Sequence, residues 1–198
     1  MKTGRLEAFS DGVLAIIITI MILEIKVPEG IEFSSLKPLI PTFLSYVLSF
    51  IYVGIYWNNH HHMMHTVKQV SGDILWANLH LLFWLSLIPF VTGWMGEKEF
   101  AKAPMVLYGV ILFMSALAYH ILQSRIIKTH GSDSILSKAV GKDWKGKISP
   151  ILYVLAIVSC WISTWISGIL YILVALIWLV PDKRIEIIFR NEELNDLQ

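Results

Sequence analysis

The sequence predicts an all-α polytopic membrane protein with six transmembrane helices. Three observations carry that expectation. Hydrophobic residues make up 56% of the 198 and charged residues only 16%, with a mean hydropathy of +0.63. Soluble domains run nearer half apolar and a quarter charged. The apolar residues fall into runs punctuated by charges, at a length that suits spans of roughly 20 residues. The Lys and Arg residues divide unevenly between alternate connections, as spans of fixed orientation require. The same figures exclude other classes. A net charge of +1 provides no basic field for nucleic acid. The single cysteine, Cys160, can form no internal disulfide.

The first run covers residues 12–23, with its helix expected over 6–25. It is not a secretory signal: Asp11 interrupts the approach to the apolar stretch, and Glu24 and Lys26 stand where small cleavage-site residues belong. Second and third spans are expected over 38–60 and 73–95. Pro89, Gly93 and Gly96 permit a bend near the end of the third. The fourth is expected over 104–124. Residues 148–180 then run for 33 positions without a charge. One helix of that length would measure about 50 Å against a hydrocarbon core of about 30 Å. A hairpin around Ser163, Thr164, Ser167 and Gly168 is therefore expected, with spans over 148–164 and 167–181. The whole chain, 1–198, reads as a single six-helix transmembrane domain. The connection 128–147 reads as a mobile polar loop, and Tyr52, Tyr56, Trp57, Trp94, Tyr108, Trp144 and Trp178 as interface anchors.

Six spans place both termini on one side. Lys2, Arg5, Lys68, Arg125, Lys128, Lys138, Lys142, Lys145, Lys147, Lys183, Arg184 and Arg190 fall on that side, and Lys26, Lys37, Lys98 and Lys102 on the other. Twelve against four makes the side of the termini cytoplasmic.

Polar residues within the apolar runs need partners. Asp11, just inside the first span, is expected either in a packing network between helices or in contact with a transported ion. The end of span two, Trp57-Asn-Asn-His60-His61-His62-Met-Met-His65, lies at the same depth as Ser10 and Asp11. A histidine is thus a candidate partner for Asp11, with Arg5 as the competitor. His61 and His65 are one helical turn apart, a metal-compatible spacing. No Cys, Asp or Glu follows until Asp73, so no metal is assigned. Asn78 and His80 in span three read as interhelical hydrogen-bonding groups. Ile16, Ile20 and Leu23 share one face at i, i+4, i+7 spacing, with Thr19 beside them. Periodicity leaves that face open between lipid contact, core packing and a pore. No nucleophile elbow, phosphate loop, zinc-protease motif or voltage-sensor pattern appears, so no enzyme is expected.

The run Arg5-x-x-x-Phe9-Ser10-Asp11-Gly12-Val13, followed by Ala15-Ile16 and Thr19, resembles the signature of the transmembrane protein 175 family, lysosomal and prokaryotic potassium channels. Trp57-x-x-His60-His61, and Asp73 through Asn78 to Ile88-Pro89-Phe90 and Gly96-Glu97, are similar to the same family; the second half of the chain resembles it mainly in hydropathy. The resemblance implies a potassium-preferring cation channel in a prokaryotic plasma membrane. Potassium is its permeant ion, and no cofactor or nucleic acid is involved. It implies one six-helix repeat per chain and a homotetramer whose first helices line the pore without a carbonyl filter. Ile16 matches the narrow isoleucine layer, Ile20 and Leu23 the layers outward, and Thr19 a threonine tied to ion preference. Ile20 departs from the common leucine. Such an aliphatic ring repels water, so small approaches of the helices suffice to close it. The competing expectations are a proton-linked transporter using Asp11 and His61, or a non-conducting membrane assembly protein.

Overall fold

The computed structural model describes residues 3–131, 133–140 and 144–179. Lys2, Lys142, Lys183, Arg184 and Arg190 of the basic set lie outside the described residues, as do Ser132 and Gly141 of the connection and the last two positions of the final expected span.

Every regular element among the described residues is helical. Helix α1 spans Thr3–Leu23, where no proline or β-turn residue interrupts the apolar run. A 3₁₀ turn over Phe33–Leu39 leads into α2, Ile40–His65, which has Pro41 in its first turn, where the missing N–H is not needed. Ser71 caps α3, Gly72–Ser86, by accepting from the Ile74 amide. The third run is broken at Leu87, and α4 continues over Ile88–Glu97. Pro89 offers no N–H to the preceding turn, so the ladder cannot run straight through. Helix α5, Lys102–His130, runs six residues past its expected end and stops at Gly131, whose φ of 88° takes it out of the helix. The connection that follows is not a plain loop. It contains α6, Ile135–Val140, with Leu136 buried. Finally α7, Trp144–Ser159, and α8, Thr164–Leu179, form the expected hairpin.

Helix α1 packs on α2, α3 and α4; α2 also meets α8, and α5 lies between α3 and α7. Thr3 of α1 bonds to Val67 just after α2, and Arg125 of α5 faces Asp73 of α3, so these termini share one end of the bundle. Lys26, Glu97 and the start of α2 share the other end, where Lys26 pairs with Glu97 and its ammonium is held above its usual range by that carboxylate. Thr3–Leu23, Phe33–His65, Gly72–Glu97 and Lys102–His130 are each long and apolar enough to cross a membrane. Helices α7 and α8 have 16 residues each. At 1.5 Å per residue these described portions reach about 24 Å. Among the described residues, the six expected spans appear as four full-length candidates and the α7–α8 hairpin.

The hairpin closes on small polar groups. Ser167 donates to the Ala156 carbonyl at 2.7 Å and lies 2.9 Å from the Ser159 hydroxyl. Three aromatic residues expected at the interfaces are instead in the core: Tyr52, Tyr56 and Tyr108 are buried. Tyr52 donates to the Tyr171 carbonyl at 2.6 Å, and Tyr171 to the Met105 carbonyl at 2.9 Å. Tyr108 reaches Ser49, which also bonds Thr92 at 2.7 Å. A phenol inside a bundle needs such partners, and having them it packs as a large apolar body. Trp57 and Trp144, by contrast, are exposed.

Candidate functional site

Helix α1 has two faces of nearly equal hydropathy and opposite surroundings. Leu6, Ser10, Leu14, Ile17 and Met21 are buried against the neighbouring helices. On the other side Phe9, Ile16, Thr19, Ile20 and Leu23 are uncovered, with Ile16 57% and Leu23 77% exposed while Ile17 is 3%. The i, i+4, i+7 stripe read from sequence is thus a real surface of the single chain. Ser86, Pro89 and Phe90, at the α3–α4 break, border a hollow beside Ile16 and Ile20. Thr19 returns its hydroxyl proton to the Ile16 carbonyl at 2.9 Å, leaving the oxygen's lone pairs outward.

What sets the rotation of α1 is a hydrogen-bonded chain on its inner face. The Ser10 hydroxyl donates to the Leu6 carbonyl at 2.9 Å and accepts from the Asn78 amide at 2.9 Å. The Asn78 oxygen lies 2.7 Å from His60 Nε2. That order of donors puts the His60 proton on Nε2. All three side chains are buried, and His60 Nδ1 has no hydrogen-bond partner among the described residues. One chain of bonds thus ties α1, α2 and α3 at the end nearest the N-terminus.

Asp11 is not part of that chain. It is half-buried, one residue further round, and accepts from Trp57 Nε1 at 3.1 Å. A donor from a neighbouring helix was expected, but the donor is an indole. His61 turns instead to Glu7, with Nδ1 2.9 Å from Oε1, and to His65, with the two Nε2 atoms 3.1 Å apart. Arg5 is exposed and makes no hydrogen bond or ion pair with any described residue. His80 accepts from Trp84 Nε1 at 3.0 Å within α3, away from the Ser10 chain. The seven polar residues singled out in the sequence therefore separate into distinct groups. Glu7 and Trp57 are the partners that pattern reading left unassigned. Glu7 does carry a signal: it stands four residues before Asp11, and so on the same side of α1, facing the end of α2.

Residues 5–89 match the family described as "Endosomal/lysosomal potassium channel TMEM175". A potassium channel of Chryseobacterium sp. (strain P1-3) is 60% identical over 186 residues, spanning 94% of this chain and 97% of that one. A potassium channel of Streptomyces collinus (strain DSM 40733 / Tue 365) is 34% identical over 136 residues, 65% of this chain and 66% of its own. The crystal structure of a lysosomal potassium-selective channel TMEM175 homolog from Chamaesiphon minutus superposes with a TM-score of 0.78 at 30% identity, covering 91% of this chain and 97% of that one. With 60% identity over nearly the full length of both chains, the chain belongs to the TMEM175 family.

Proposed function

We infer that this protein is a potassium channel of the membrane. Further, we propose that it conducts as a homotetramer through a central pore lined by α1. The observation that carries the pore assignment is the uncovered stripe of Ile16, Thr19, Ile20 and Leu23, on a helix whose other face is fixed by Ser10 and Asn78. Four copies meeting along that stripe would bury it and form an aliphatic constriction at Ile16, with Ile20 and Leu23 further along. The ring excludes water when narrow and admits ions when the helices separate slightly. Thr19 oxygens sit one turn along and supply the polar contact that aliphatic groups lack. Asp11 and His61 are bonded to different residues, Trp57 and Glu7, which disfavours a titrating pair of the transporter kind.

The chain is proposed as one six-helix transmembrane domain, with α3 and α4 as one broken span and α7 and α8 as the last two. Both termini are proposed on the cytoplasmic side of a prokaryotic plasma membrane. The basic bias supports this: described residues Arg5, Lys68, Arg125, Lys128, Lys138, Lys145 and Lys147 follow one end of the bundle and Lys26, Lys37, Lys98 and Lys102 the other. Reporter tags after Gln198 and within residues 131–141 are both expected in the cytoplasm; either one outside would overturn the six-span order. Reconstitution of the purified protein into planar bilayers under asymmetric potassium and sodium tests the function. Unitary currents reversing toward the potassium potential are expected, and coupled, saturable flux without unitary currents would mean a transporter.

A further inference from the structure

The pore leaves one cluster unused: Glu7, His61 and His65, whose ligand-type atoms all lie within 4.8 Å of one another. We propose that these three residues form a binding site for a divalent d-block cation of the zinc class, tying the second turn of α1 to the last turn of α2. His61 and His65 stand at i, i+4 on α2, which stacks the two imidazoles on one face. Their Nε2 atoms are 3.1 Å apart. Two nitrogens bound to one tetrahedral zinc at about 2.0–2.1 Å lie about 3.3 Å apart, so both rings reach one ion with only a small shift. Glu7 comes from the other helix. Its Oε1 holds His61 Nδ1 at 2.9 Å and lies 3.9 Å from His65 Nε2. A carboxylate on the far nitrogen of a metal-binding imidazole fixes the ring and raises its basicity, and here it also places a negative charge beside the ion.

The donor set selects the ion. Two imidazole nitrogens, one backed by a carboxylate, suit zinc, nickel, cobalt or copper(II), and not calcium or magnesium, which take oxygen ligands. Met63 and Met64 are fully buried, so the soft sulfurs that would favour copper(I) do not reach the site. His65 and His61 are accessible, with 55% and 39% of their side chains exposed, so an ion can enter from water and keep water in its remaining positions.

The test uses the full chain purified in detergent with a histidine-free tag and stripped with chelator. Titration with Co²⁺ should give saturable visible absorption bands of nitrogen–oxygen coordination at one ion per chain. Zn²⁺ should abolish these bands by displacement and raise the thermal unfolding temperature. His65→Ala and His61→Ala should each lower the affinity at least tenfold, and Glu7→Gln, which keeps an acceptor for His61 but removes the charge, 10- to 100-fold. His120→Ala, on the exposed side of α5, should leave binding unchanged. Each variant must elute from size exclusion as the parent protein does; His65→Ala, at the exposed end of α2, is the variant least able to disturb the fold. Absence of saturable Co²⁺ bands, or bands of undiminished affinity in properly eluting His65→Ala, would overturn the site. The readout is independent of conduction, so it stands or fails apart from the pore.

Discussion

The two faces of α1 differ by a rotation and by little else. Leu14, Ile17 and Met21 on one side and Ile16, Ile20 and Leu23 on the other are all bulky and apolar, yet the first set is buried and the second largely uncovered. Hydropathy does not separate them. Adjacent polar residues do: Ser10 points inward to Asn78, while Asp11, about 100° further round, meets Trp57 at the margin. In hydrocarbon, an unbonded polar group costs several kcal/mol, whereas an aliphatic side chain is nearly indifferent between lipid and protein. The orientation of such a helix is therefore decided by its few polar side chains.

Substitutions that treat the two faces alike will expose the difference. The largest effect is expected at Ile17. Ile17→Asn places an amide in a packed apolar site and should cost roughly 3 kcal/mol or more, read as loss of monodisperse protein on size exclusion. Ile16→Asn should leave the yield intact while raising conductance or open probability and weakening discrimination of potassium from sodium. Ile16→Cys should respond to silver or cadmium from the water phase. Ile17 cannot serve as a neutral control for Ile16, because it lies in the subunit core, and Ile18 is half-buried against that core. Equal behaviour of positions 16 and 17 in both yield and current would break the comparison.

Removing the inner-face bonds should come next. Asn78→Leu removes the donor to Ser10, whose hydroxyl keeps its bond to the Leu6 carbonyl, and strands His60 Nε2 in a buried site, at roughly 1–3 kcal/mol for the unsatisfied group. A fall in unfolding temperature together with altered currents is expected, since the helix loses the contact that sets its rotation. Asp11→Ala should cost less, roughly 1.5 kcal/mol for one hydrogen bond to a charged group. If Asp11→Ala destabilises more than Asn78→Leu in the same thermal assay, the rotation is held at the margin and not on the inner face. The smallest effect on stability belongs to Thr19→Val. It removes an exposed hydroxyl already satisfied by its own helix, so stability should stay within about 0.5 kcal/mol. The potassium-to-sodium permeability ratio, measured by reversal potential, should fall; an unchanged ratio would take Thr19 out of the ion path.

Some of the site was open to sequence reading because it follows from local chemistry. The i, i+4, i+7 repeat places Ile16, Ile20 and Leu23 on one face in any α-helix. The 33 uncharged residues outrun the roughly 20 to 25 of a usual span, so a hairpin is expected there, and Pro89 permits a bend in the third run. The partners of the polar groups were not accessible in the same way. Asp11 finds Trp57 and His61 finds Glu7 across helices separated by about fifty residues of chain, at matching depths that hydropathy cannot order. Tyr52, Tyr56 and Tyr108 illustrate the same limit. An amphipathic ring suits the membrane interface and a hydrogen-bonded core equally well, and only the Tyr171 carbonyl, which accepts from Tyr52, and the Ser49 hydroxyl beside Tyr108 decide for the core in two of them.

By itself, the sequence determined that this chain is helical and membrane-embedded, where its main breaks fall, and which residues share a face of each helix. Those properties depend on composition, on proline and glycine chemistry, and on a fixed helical period, all of which act over a few residues. The tertiary structure alone decided which face of α1 turns inward and which carboxylate meets which ring. These depend on bonds between side chains brought together by packing, and such bonds have directions and lengths that no one-dimensional pattern carries.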